Sequence, residues 1–252
     1  LSIVVGLKLF EILVENPDKI KRRYLFYFIT LTSTILITMK VSTTVFACTS
    51  VMVAWYHLDK TERLKSGLIA FGLSLIVLIP WLIHGVIMNG CLIFPSSFTA
   101  LPFDWTLPQE SIKTRSYWIQ GWSRQPWVHY ANVLNRWDWF LPWLESTIST
   151  SITDFTIPLF TTLISLIVIV INRNRIYKPL LHLAWIAALG IMPVYWLAPD
   201  PSYCGGIIWL MVAALVTSTF EIYKVKGAWL VALILVPTCL LSSYITLIKN
   251  SA

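Results

Sequence analysis

Four residues combine a type and a setting that could hold a phosphate group. Lys40 opens the run Lys40-Val-Ser-Thr-Thr44, where a cation, the Ser42 hydroxyl and the free backbone N–H groups of a helix start would together attract an anion. Arg124 lies among Trp118, Trp122, Pro126 and Trp127, and a guanidinium fork meets phosphate oxygens bidentately. Asp200 sits in Ala198-Pro-Asp-Pro-Ser-Tyr203, between two prolines that fix the backbone and so aim its carboxylate. Each has a plainer alternative. Lys40 could snorkel at a turn while the hydroxyls cap a helix, Arg124 could meet lipid headgroups, and the Asp200 segment could be only a rigid turn. His84 and His182 read as packing or interfacial residues.

Nothing in the chain names a catalytic residue. It has no Gly-rich phosphate loop, no Cys-x-x-Cys, no His-Glu-x-x-His and no Gly-x-Ser-x-Gly, so no metal and no cofactor is expected. Any chemistry must use scattered polar residues held by the rest of the fold.

The elements that would hold them are membrane helices. The 252 residues are 57% hydrophobic and only 12% charged, about half the ~25% charge of a soluble domain. The apolar residues fall into seven candidate spans, Tyr24–Thr38, Val41–His57, Ser66–Met88, Phe155–Ile171, Leu180–Leu197, Gly205–Tyr223 and Ala228–Ile248; a helix needs about 20 such residues to cross ~30 Å of hydrocarbon. The fold expected is an all-α integral membrane protein, a single transmembrane domain over 1–252. Leu1 is not Met and Leu1–Glu15 lacks the pattern of a signal peptide, so the chain reads as a fragment of a longer protein.

The net charge of +7 does not imply nucleic acid, because the basic residues cluster between apolar runs. Lys8, Lys19, Lys21, Arg22, Arg23, Lys60, Arg63, Lys65, Arg173, Arg175, Lys178, Lys224 and Lys226 fall on one side if every span crosses once; Lys40, Lys113, Arg115, Arg124, Arg136 and Lys249 fall on the other. The positive-inside rule makes the first side cytoplasmic. The break at Lys40 carries this parity with neither Gly nor Pro to mark it.

The long connector, 89–154, is then extracytoplasmic. It holds seven of the thirteen tryptophans, a residue that prefers the headgroup level. Thr106-Leu-Pro-Gln109 has the form of a capping box and predicts a helix start near Leu107. Gln109–Trp122 and Trp127–Leu141 each carry an apolar stripe at helical spacing beside charged residues and predict interfacial amphipathic helices, not spans. Cys91 and Cys204 fall on one side, so a bridge between them is open, while Cys48 and Cys239 lie within apolar runs.

The succession Ile37-Thr-Met-Lys-Val-Ser42, Leu78-Ile-Pro-Trp-Leu-Ile83, Cys91-Leu-Ile-Phe-Pro-Ser96, Phe103-Asp-Trp-Thr-Leu-Pro108, Trp118-Ile-Gln-Gly-Trp-Ser-Arg124 and Ala198-Pro-Asp-Pro201 resembles a family of uncharacterised bacterial polytopic membrane proteins similar to the GT-C type of glycosyltransferase. The resemblance runs from about Ile20 to Tyr223. It implies a bacterial inner-membrane transferase that takes a sugar from a polyprenyl-phosphate donor for envelope polysaccharide assembly, with membrane lipids as its surroundings. In that family a catalytic carboxylate stands in the first outer loop, a part expected upstream of Leu1, and a basic residue stands where this chain has Ser202. A lipid-linked oligosaccharide polymerase or ligase, a transporter and a non-enzymatic scaffold are the competing readings. The lack of repeated halves in the sequence argues against a transporter.

The charge segregation makes a first prediction. A cysteine introduced at Gln125 is labelled by an impermeant thiol reagent in cells whose inner membrane is intact; labelling only after permeabilisation reverses the orientation.

Overall fold

The computed structural model describes residues 1–15, 17–172 and 178–223. Ten α-helices run α1 (Ser2–Glu15), α2 (Lys19–Met39), α3 (Thr44–Tyr56), α4 (Arg63–Asn89), α5 (Gln109–Arg124), α6 (Tyr130–Val133), α7 (Phe140–Thr150), α8 (Ile157–Ile171), α9 (Lys178–Leu197) and α10 (Gly205–Tyr223) among these residues. They contain no strand, and a single bridge joins Cys91 to Ala100.

Four segments are long and apolar enough to cross a membrane: Arg63–Asn89, Ile152–Ile171, Lys178–Leu197 and Gly205–Ile222. That corrects the count of seven. The first expected span lies in α2, whose first turn carries Lys19, Lys21 and Arg22 and whose middle buries Thr30, Thr32, Ser33 and Thr34; this polarity is too great for a simple apolar span. The buried threonines return their hydroxyls to the preceding turn, as Thr30 does to Phe26 O at 2.9 Å and Thr34 to Thr30 O at 2.8 Å. The second lies in the apolar stretch Val41–Tyr56, whose helical part α3 has 13 residues and reaches only ~20 Å at 1.5 Å per residue. Ala228–Ile248 lies outside the described residues.

The break at Lys40 is real. Lys40 is extended (φ −153°, ψ 98°) between α2 and a short 3-10 turn, Val41–Thr43, so α2 and α3 pack as a helical hairpin. Arg22 closes the far end by donating to His57 O at 3.0 Å. Asp18 caps α2 by accepting from Lys21 N at 2.7 Å, and Gly90, at φ 71°, ends α4 in the left-handed region that glycine tolerates.

The bundle centre is α10 and α9, which pack on one another, with α1 against both and α3 against α9. Half of the apolar window of α10 is buried, but only 11% of that of α4, so α4 is peripheral. Val5, Leu9 and Ile12 of α1 share a helical stripe and are buried in the same core as Phe26, Phe46 and Ile207. None of the seven expected spans includes this helix.

The connector is built less regularly than its stripes suggest. The first interfacial helix is present as α5, but Pro108, not Thr106, stands at its N-cap with no side-chain cap. Thr106 Oγ1 donates instead to Leu101 O at 2.6 Å. The expected helix Trp127–Leu141 is not continuous: one turn, α6, stops at Leu134, which is extended, and Trp127 and Asn135 have positive φ. A left-handed residue ends a helix, and Asn accepts that conformation more readily than most.

Gly190 permits the α3–α9 contact. A Cβ there would lie 2.5 Å from Phe46 Cβ and 3.0 Å from Phe46 Cα, inside van der Waals contact with a fully buried residue. Gly190→Val is expected to cost about 1–3 kcal/mol by overpacking, read as a lowered thermal midpoint in detergent relative to Gly72→Ala, where a Cβ meets nothing within 4 Å.

Candidate functional site

The polar residues singled out in the sequence converge on the turn between α9 and α10. Trp143 of α7 donates its Nε1–H to Pro199 O at 2.7 Å. Ser42 donates its hydroxyl to Tyr203 O at 2.9 Å, and the Lys40 ammonium donates to Ser202 O while lying 5.6 Å from the Tyr203 ring centroid. Asp200 is turned inward on its own backbone, its Oδ1 accepting from Ser202 N at 2.9 Å. Asp154 stands in a π-helical turn spanning Ile152–Thr156 that packs against the turn following Asp200. Lys40, Ser42 and the Asp200 turn are therefore together, and structural duty occupies part of each.

Three cavities open around this assembly. The largest, a groove of about 860 Å³, runs between the Lys40 bend, the loop 93–98, α5 and the end of α9; Lys40, Ser42, Lys113, Ser116 and Gln120 are among its polar groups and Val45, Phe94, Phe98, Ile119 and Leu197 form part of its apolar wall. The loop is closed by Thr99, whose Oγ1 accepts from Ile93 N at 3.1 Å. A second chamber of about 840 Å³ contains Arg124 and Arg136 among aromatic side chains. Arg124 and Asp200 share a third, smaller one of about 440 Å³. Lys40 lines only the first of the three, so Lys40, Arg124 and Asp200 do not face one common cavity.

Charge is distributed unevenly between the two ends of the bundle. At the Arg22 end, Lys8 and Lys21 pair with Glu11 at 2.9 and 2.7 Å, Lys19 with Asp59 at 2.9 Å, and Arg23 with Glu62 at 3.5 Å. At the Lys40 end no described cation has a carboxylate within ion-pair distance. Lys113 and Arg136 are exposed, and Arg124 rests its guanidinium 5.0 Å from the Trp139 ring centroid with a buried Nε that has no hydrogen-bond partner. Burial lowers the Arg124 pKa from its ordinary value, though a guanidinium stays charged at neutral pH.

The residue that the sequence did not mark is Lys113. On α5 alone it is one more charge on the polar side of an amphipathic helix; only the approach of the Lys40 bend makes the two ammonium groups line one groove.

Residues 1–209 match the model of a family described as a domain of unknown function, DUF8201. The chain belongs to that family. No curated protein and no solved structure matches it. The DUF8201 match takes in every residue named above for the three cavities.

Cys48, Cys91 and Cys204 are all unpaired thiols, so the bridge left open between Cys91 and Cys204 is not formed; Cys239 lies outside the described residues. Burial pushes the Cys204 thiol up to about 12, the positive charge of Lys40 opposing and the negative charge of Asp200 assisting. Because the thiolate is the reactive form, Cys204 is expected to react with N-ethylmaleimide at pH 8 about three orders of magnitude more slowly in the folded protein than after denaturation. Peptide mass spectrometry over a time course reads this, and equal rates would contradict the burial of the turn.

Proposed function

We propose that the groove holds the phosphate of a polyprenyl-phosphate-linked sugar, in a GT-C-like glycosyltransferase working at the outer face of the bacterial inner membrane. The observation that carries this reading is the juxtaposition, in one groove of about 860 Å³, of two ammonium groups without carboxylate partners and an extended apolar wall. A cation at the edge of a low-dielectric bilayer is costly unless paired or wetted, and a lipid phosphate would supply the missing charge while its chain covered the apolar residues. The size is within the ~300–1,000 Å³ usual for ligand sites.

In this reading the segregation of basic residues orients the Arg22 end to the cytoplasm. Lys40 and Lys113 neutralise the phosphate and Ser42 and Ser116 offer hydroxyls. Lys40 keeps donors free after its bond to Ser202, since an ammonium has three. The resemblance to GT-C enzymes supplies the transferase part of the proposal, and no residue is assigned as the base.

The test is binding of farnesyl phosphate and of farnesol to the protein in phosphatidylcholine nanodiscs. The phosphate is expected to bind at least about tenfold more tightly, and Lys113→Gln to remove most of that preference, each charge-assisted contact being worth ~1.5 kcal/mol or more. Lys113 is exposed and makes no hydrogen bond or ion pair, so its loss leaves the fold intact. Equal binding of alcohol and phosphate, or an unchanged preference in Lys113→Gln, rejects the groove as a lipid-phosphate site.

A further inference from the structure

The second chamber has a different chemistry. Its charged and amide groups are Arg124 and Arg136, with Gln120 and Asn135, and tyrosine hydroxyls complete its polar lining. Its walls are the rings of α5–α7 and the end of α9. Trp139 stands 6.0 Å from Trp137 at 21°, nearly parallel, and Trp137 meets Trp196 edge-on at 6.2 Å. Trp137 and Trp196 are 69% and 71% exposed, so their faces are available, whereas Trp139 and Trp143 are buried and fix the floor.

Two properties of this arrangement point to a ligand. The Arg124 Nε is buried without a partner, and leaving a charged donor unsatisfied costs more than an ordinary unmade hydrogen bond; the cost is recovered when an anion enters. Arg136 lines the same chamber with no carboxylate within ion-pair distance, so an anion would find two forks that can each donate to a pair of its oxygens. An indole face offers a flat apolar surface with a negative quadrupole, which suits the weakly positive C–H face of a pyranose ring. A purely apolar guest would leave both arginines unmet, and a bare anion would leave the indoles bare.

We propose that this chamber binds an anionic sugar, a pyranose carrying a carboxylate or a phosphate, with the ring against Trp137 and the charge held by Arg124 and Arg136. The site is separate from the groove: Tyr117 and Gln120 line both cavities, whereas Lys40 and Lys113 line only the groove and Arg124 and Arg136 do not line it. The proposal therefore stands whether or not the groove takes a lipid phosphate.

The test uses the full chain in phosphatidylcholine nanodiscs with four probes: D-glucuronate, α-D-glucose 1-phosphate, D-glucose and inorganic phosphate. At least one charged sugar is expected to bind tenfold or more tightly than both glucose and inorganic phosphate, with saturation transferred from the protein to its ring hydrogens. Arg136→Gln and Trp137→Ala alter exposed side chains, and each is expected to lower that affinity about tenfold, whereas Arg115→Gln, at an exposed residue that lines neither cavity, leaves it unchanged. Inorganic phosphate binding as well as the charged sugars would reduce the site to an anion hole and overturn the proposal. Loss of charged-sugar binding in phosphatidylglycerol nanodiscs at equal ionic strength would identify a lipid headgroup as the occupant and overturn it as well. Failure of every probe to bind, with the thermal midpoint of the protein intact, also rejects it.

Discussion

The arrangement of the Lys40 end depends on how one turn satisfies its backbone. The segment between α9 and α10 contains two buried prolines, Pro199 and Pro201, and a single 3-10 turn, Pro201–Tyr203, so the carbonyls of Pro199, Ser202 and Tyr203 take donors from elsewhere. Three arrive from two distant parts of the chain: the indole of Trp143 at Pro199, and the ammonium of Lys40 and hydroxyl of Ser42 at Ser202 and Tyr203. These bonds tie the α2–α3 bend and the amphipathic connector to the same few backbone atoms. The three cavities are the spaces left between elements that meet there.

Electrostatics divides the molecule along the bundle axis. At the Arg22 end, lysines and arginines from α2 meet carboxylates from α1 and from the loop before α4. At the Lys40 end the described acidic and basic groups stand apart. Exposed ion pairs contribute little to stability, so the contrast matters less for folding than for what each end presents to its surroundings: at one end several cations are held by carboxylates, and at the other the described cations are not.

Much of the helical skeleton was legible because hydrophobic periodicity is local. The runs that became α4, α8, α9 and α10, and the stripe of α5, are read from neighbouring residues. The bend at Lys40 was marked only by a lysine followed by hydroxyls in an apolar run; what holds it, bonds to carbonyls more than 160 positions away, has no local signature. The continuous helix expected over Trp127–Leu141 failed for the opposite reason. Its local pattern was helical, but left-handed Trp127 and Asn135 and the anchoring of Trp143 to Pro199 divide the stripe between α6 and α7. Lys113 shows the same limit at the candidate site, since a charge on an amphipathic helix gains meaning only from the wall opposite it.

Tyr117 and Gln120, one helical turn apart on α5, are the partition between the groove and the aromatic chamber. Compartments divided by two side chains share the rotamers of those side chains, and space gained by one on a swing of the phenol is space lost by the other. Occupancy on either side then biases the same conformational variable. Such a bias is reciprocal by thermodynamic necessity: whatever free energy a guest in the groove adds to or takes from a guest in the chamber is returned in equal measure, with no helix having to move.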